Sequence, residues 1–226
     1  MSQADFTSGH RNRLRQRFMK AGVDGVADYE LLELVLYAAK PRGDVKPLAK
    51  ELIKTFGSFY QVMSAEPAEL IRVKGMGDAC ITSLKVVQAA AQHMLRFEAT
   101  SGPVIASWQK VIDYCRASMD HLKNEELRLL FLDRHNRLIS DEVQQRGTID
   151  HTPVYTREVI KRALEIGASA LILVHNHPSG DPTPSQADIE VTRRIKEAAE
   201  NLGISLHDHI IIAKGKYCSL RAENLI

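Results

Sequence analysis

The sequence predicts an α/β domain, a mixed sheet flanked by helices, preceded by a small all-α domain. Three observations carry this. Across residues 28–95 the apolar side chains recur at helical spacing. Beyond Trp108, short apolar strands alternate with helical segments, as in a sheet covered by helices. Between the two, EATSGPVIAS at residues 98–107 interrupts the helical pattern with small residues and Pro103. The boundary is placed there, giving domains of 1–100 and 101–226.

In the first domain the opening segment GHRNRLRQRFMKAG places Arg11, Arg13, Arg15, Arg17 and Lys20 together with no acidic neighbour. Such a run either contacts phosphate or forms a solvated basic helix. Several short helices follow from apolar residues at helical spacing, at Leu31, Leu34, Val35 and Ala38, at Leu48, Leu52 and Phe56, and at Leu84, Val87 and Ala91. Pro41, Gly43, Gly57, Pro67, Gly75 and Gly77 punctuate them. The stretch LIRVKGMGDACITSLKVV resembles a helix-hairpin-helix, in which glycines let the backbone approach a phosphate and the next helix start supplies N–H donors. That mode grips the DNA backbone without reading sequence. Lys74, Gly75 and Gly77, with Arg11, Arg13, Arg15 and Arg17, are the candidate DNA-binding residues; a glycine turn between packed helices, or a protein-contact hairpin, accounts for the same string.

In the second domain Trp108, Val111, Ile112, Cys115 and Met119 mark a helix. Residues 127–133 and 137–146 read as strands joined by a turn through His135 and Asn136. A helix follows from about 156 to 166, closed by Gly167, then the buried strand ALILV at 170–174. A helix from 185 to about 202 ends before Gly203, and SLHDHIII reads as the last strand.

Composition narrows the function classes. With 44% apolar and 26% charged residues, the chain of 226 residues builds a real core and is not predominantly disordered. It has no apolar run near the roughly 18–20 residues of a membrane span, and MSQADFTSGHRNRL lacks a signal-peptide core, so a cytoplasmic protein with no membrane partner is expected. Cys80, Cys115 and Cys218 form no CxxC pair, which leaves reduced thiols rather than a disulfide framework or a cysteine zinc site. The net charge is only +2, but residues 1–100 carry 14 basic against 11 acidic side chains and residues 101–226 carry 16 against 17, so affinity for polyanions belongs to the first domain.

The chemistry is concentrated where the buried strand meets HNHPSGDPTPSQAD. His175 and His177, at i and i+2 on an extended segment, project to one side with Cβ atoms roughly 6–7 Å apart, a span one tetrahedral zinc bridges. Pro178, Gly180, Pro182 and Pro184 stiffen the loop that leads to the next helix. Asp188, in that helix's first turn, turns back as a third ligand and leaves a fourth position for water, the composition of a catalytic zinc site. Ser185-x-x-Asp188 is also a helix-capping pattern, and a lone strand-end histidine is usually a satisfied polar residue. The joint spacing H-x-H-x7-S-x2-D decides for metal, since a shuffled chain of this composition produces it with probability on the order of 10⁻³.

These residues match the JAMM motif of MPN metalloproteases, and HNHPSGDPTPSQADIEVT resembles the RadC branch of that family. LLFLDRHNRLI, RGTID, TREVIKRALE and LHDHIII extend the likeness over most of 101–226, and the helical first domain is similar to the one RadC proteins carry. The resemblance implies an MPN/JAMM fold with cytidine-deaminase-like layering and one Zn2+ per chain on His175, His177, Asp188 and a water. It implies that Ser185 stabilises an oxyanion, and that an upstream glutamate acts as general base. Glu125, at the start of the first hairpin strand, fits that position best; strand alternation turns Glu126 to the opposite face, and Glu142 on the second hairpin strand is the other candidate or a supporting partner. His207 and His209 could share a strand face, but the flanking apolar residues favour a structural strand; His135 and His151 have no partner at a telling spacing.

The implied activity is zinc-dependent hydrolysis of a peptide or isopeptide bond by activated water. Two other functions fit the same residues: a DNA-binding repair factor or structure-specific nuclease delivered by residues 1–96, and an MPN scaffold without turnover if no glutamate faces the metal.

Overall fold

The structure is a computed structural model that describes residues 3–146 and 155–226. It forms two compact units, Met1–Ala91 and Gln92–Ile226, and the division lies inside one helix that runs from Asp78 to Thr100. The helical pattern therefore ends where residues 98–107 break it, while the packing unit changes earlier along the same helix.

The first unit is helical: α1 (Gln3–Ala21), α2 (Asp28–Ala39), α3 (Lys46–Phe56), α4 (Phe59–Ser64), α5 (Pro67–Leu70) and the start of α6 (Asp78–Thr100). Local chemistry sets the ends. Ser58 caps α4 by accepting from Gln61 N–H at 3.2 Å, prolines open α3 and α5, and Gly57 closes α3 at φ 104°, which glycine alone adopts without strain. Leu14, Leu32, Leu36, Leu52, Leu70 and Leu84 fill the core.

The buried stripe of α2 is one residue on from the face expected: Leu32, Glu33, Leu36 and Tyr37 are buried, while Leu31, Leu34 and Val35 are half-buried and Ala38 is exposed. DYELLELVLYAA is apolar almost all round, so its pattern does not choose a face. Glu33 turns inward because Tyr37 Oη donates to it and His10 Nε2 pairs with it, each at 3.0 Å. On α6, likewise, Cys80 and Leu84 are buried, whereas Val87 and Ala91 face solvent.

The second unit holds α7 (Trp108–Met119), β1 (Glu126–Leu132), β2 (Leu138–Arg146), α8 (Thr156–Glu165), β3 (Ala170–Asn176), α9 (Gln186–Glu200), β4 (Ser205–Ala213) and β5 (Lys216–Ser219). The sheet is mixed, in the order β2-β1-β3-β4-β5, with β3 and β4 parallel and the other neighbours antiparallel. Every residue of β3 is buried, because α7 covers one face and α8 with α9 the other. β5 is absent from the expected elements; Lys214 and Gly215, both at positive φ, turn β4 back into it without an Asn-Gly signal.

Among the described residues no helix is long and apolar enough to cross a membrane, and all three cysteines are free. His151 and most of RGTID lie outside the described residues.

Candidate metal centre

His175 lies near the end of β3, paired with Leu127 and Ile211, His177 follows just beyond the strand, and α9 begins by presenting Asp188. Ser185 is the N-cap: its Oγ accepts from Asp188 N–H at 3.1 Å, and Asp188 Oδ2 accepts in return from Ser185 N–H at 2.7 Å. The cap thus fixes the turn that aims the carboxylate at the histidines. His175 Nε2 lies 2.8 Å from His177 Nε2 and 3.3 Å from Asp188 Oδ1; His177 Nε2 lies 3.7 Å from Asp188 Oδ2. The three ligand atoms all fall within 4.8 Å of one another.

Hydrogen bonding fixes which ring atoms face this cluster. His177 Nδ1 meets the Asp181 carbonyl at 2.8 Å and must donate to it, so Nε2 presents its lone pair. Behind His175 runs a chain of one polarity. Thr192 Oγ1 donates to the Asp188 carbonyl and therefore accepts from His209 Nδ1; His209 Nε2 then accepts from His175 Nδ1 at 2.7 Å, leaving His175 Nε2 bare. A tetrahedral zinc with ligand bonds near 2.0–2.1 Å spaces its ligands about 3.3 Å apart, within the observed spread. Two imidazole nitrogens with every other ring donor satisfied, plus one carboxylate, fit such an ion.

The electrostatics keep His175 neutral and Asp188 ionised, whereas His177 gives up a proton from Nε2 when that atom holds an ion. Burial, then the neighbouring His209, holds His175 well below the ordinary histidine range, so it stays neutral. Pairing with Asp188 raises His177 against burial, with the Asp181 carbonyl and the charges of Asp188 and Glu125 adding. Burial opposes ionisation of Asp188, but pairing with His177 and His175 and hydrogen bonds from Ser185 outweigh it and hold the carboxyl well below its usual range.

The three glutamates separate. Glu125 immediately precedes β1, and continuing the β1–β3 register beyond Leu127–His175 sets it opposite His177. Glu126 points to the other face and receives Arg128 Nη2 at 2.9 Å. Glu142 is opposite Leu129, about 13 Å along β1 from Glu125 at the usual strand rise, and is held by Arg162 at 2.7 and 2.9 Å. That arginine, with Ser140 adding a hydrogen bond, pulls its carboxyl below the usual range, and the described partners of Glu142 are Arg162 and Ser140 rather than the two histidines. The Ser185 hydroxyl proton goes to Asp188 Oδ2 at 2.7 Å, so donation to an oxyanion requires that hydroxyl to turn.

His209, expected to be merely structural, is one of the residues the sequence reading missed, with Thr192: it supports His175 from behind. A register shift between Leu171 and Ile172 falls at His207, which bonds Asn136 Oδ1 at 2.6 Å, so the two histidines do not share a setting. The only available signal was the D-H pair beside an apolar strand, which carries no spacing to the motif.

In the first unit the candidate nucleic-acid residues are divided. Arg11 donates to the carbonyls of Lys40, Pro41 and Gly43, capping the end of α2, and lies 4.4 Å from the centre of the Tyr37 ring. Arg17 pairs with Glu30, while Arg13, Arg15 and Lys74 are exposed. The expected hairpin's first helix ends at Leu70, a turn of chain before the glycines. Gly75 sits at φ 96°, and a Cβ at Gly77 would meet open space.

A mixed sheet whose parallel strand ends in two convergent histidines, followed by a helix presenting a carboxylate, defines a JAB-type domain, and the RadC-like JAB domain model matches residues 105–225. The UPF0758 N-terminal model matches residues 8–82. The chain belongs to the RadC-like UPF0758 family. A UPF0758 protein of Rhodobacter capsulatus is 58% identical over 213 residues, covering 94% of this chain and 100% of its own length. One from Ruegeria pomeroyi is 56% identical over 217 residues, covering 96% of this chain and 97% of its own.

Proposed function

We propose that the chain is a cytoplasmic zinc-dependent hydrolase that cleaves a peptide or isopeptide bond, with one zinc held by His175, His177 and Asp188. The observation that carries this reading is the convergence of two bare Nε2 atoms on Asp188, with both Nδ1 atoms committed elsewhere. When bound, zinc supplies a Lewis acid that lowers the pKa of water to about 7 and polarises a carbonyl. Glu125, opposite His177, takes the proton from the attacking water and returns it to the leaving nitrogen. Ser185 turns its hydroxyl from Asp188 to the developing oxyanion, a donor whose loss in comparable sites costs about 2.7–4 kcal/mol.

The test is Glu125→Gln, measured on zinc-loaded protein with fluorogenic peptide and isopeptide substrates. Zinc content stays at about one per chain and turnover falls by at least ~10²-fold. Undiminished turnover removes Glu125 from this role, and a wild type without turnover favours the scaffold reading.

A second reading, delivery to DNA by the first unit, is supported by the open face at Gly77 and by Lys40, whose Nζ would lie 3.9 Å from a Cβ at Gly75. Binding to a branched duplex should then fall steeply as salt rises from 50 to 200 mM. Binding that ignores salt contradicts it.

A further inference from the structure

Asn176 lies between the two histidines and belongs neither to the ligand group nor to the helix cap, yet it is only 2% exposed. Backbone pairing of β1 with β3 ends at Leu127–His175. Past that rung the Asn176 side chain takes over: Oδ1 accepts from Glu126 N–H at 2.9 Å, and Nδ2 donates to the Asn124 carbonyl at 3.1 Å. Both contacts are made on the two residues that flank Glu125. Only a carboxamide offers a donor and an acceptor on one short planar group; aspartate has acceptors alone and an aliphatic side chain has neither. Alternation along β3 turns Asn176 away from the face of His175 and His177, so it does not compete for an ion.

The geometry points to Asn176 as a positioning residue, a side-chain rung that clamps the backbone on either side of Glu125 and so holds that carboxylate beside His177. This rests on the reading of Glu125 as the proton carrier. Without the clamp, Glu125 would stand beyond the last backbone rung to β3, on a strand end paired with β2 alone, where backbone hydrogen bonds open readily.

The test uses the full chain with Asn176→Ala and Asn176→Asp, the second keeping the acceptor for Glu126 N–H. Amide exchange by NMR should speed at Glu126 on the order of tenfold in Asn176→Ala relative to the amides of β3, and less in Asn176→Asp. Unchanged exchange at Glu126 overturns the clamp. On zinc-loaded protein and a fluorogenic peptide, kcat should fall with KM and zinc content unchanged, and Asn176→Ala added to Glu125→Gln should cost nothing further. Additive losses, or loss of zinc in Asn176→Ala, overturn action through Glu125. A wild type that cleaves no peptide refutes the hydrolase reading alone; exchange at Glu126 and 15N relaxation at Glu125 then decide the clamp.

Discussion

Thr192 shows how far the ligand geometry depends on side chains that touch no ion. Its hydroxyl donates to the Asp188 carbonyl and accepts from His209, so one group ties the carboxylate's helix to the histidine chain behind His175. Thr192→Val keeps the shape but removes both bonds, freeing His209 and then the His175 ring to turn. Zinc affinity, read by competition with a chromogenic chelator, should weaken by about 10–100-fold. Unchanged affinity would show that packing alone holds His175. His175, His177, Asp188 and Ser185 were legible because their spacing is local and each was forced by the strand-to-helix turn. His209 and Thr192 were not: each reads as one polar residue in an apolar face, and only the folded sheet brings His209 against His175.

At the scale of the element, α9 does two jobs with one turn. Ser185 and Asp188 cap the helix reciprocally while the same carboxylate faces the histidines. Ser185→Ala should lower stability by about 1 kcal/mol in thermal or urea denaturation of chelator-treated protein, and Ser185→Gly by only a few tenths. Equal effects of the two would remove the cap from the account. The other elements were legible in proportion to their periodicity. β3 and α7 were visible as a continuous apolar run and a helical stripe, whereas the face of α2 was not, since an inward Glu33 is acceptable only once His10 and Tyr37 meet it. β5 is four residues long and its turn is made by Lys214 at φ 40°, a conformation no propensity announces.

For the whole molecule, the buried histidines set a pH dependence. In the metal-free protein burial holds His175 low, His209 down to about 4, and His207 below its usual range. The unfolded chain takes up those protons near pH 6.5 while the folded one does not, so their contribution is present above that pH and lost as pH falls. His177, raised by Asp188, works in the other direction: its contribution is present below about 6.5 and lost as pH rises through its folded value. Asp188, held low, contributes above about pH 3.9 and loses that as pH falls further. Between pH 7 and pH 4 three histidines work against one, which makes acid destabilising, so the melting temperature of chelator-treated protein should drop steadily over that range. A flat or rising profile would show that these histidines are not buried neutral.

The account's central claim, that the end of β3 and the start of α9 together hold one ion, is tested most directly by elemental analysis of purified full-length protein and its His177→Ala variant. The expected result is about one zinc per chain in the first and none in the second, both remaining folded. Equal zinc in the two proteins, or none in either after dialysis against zinc, would contradict it.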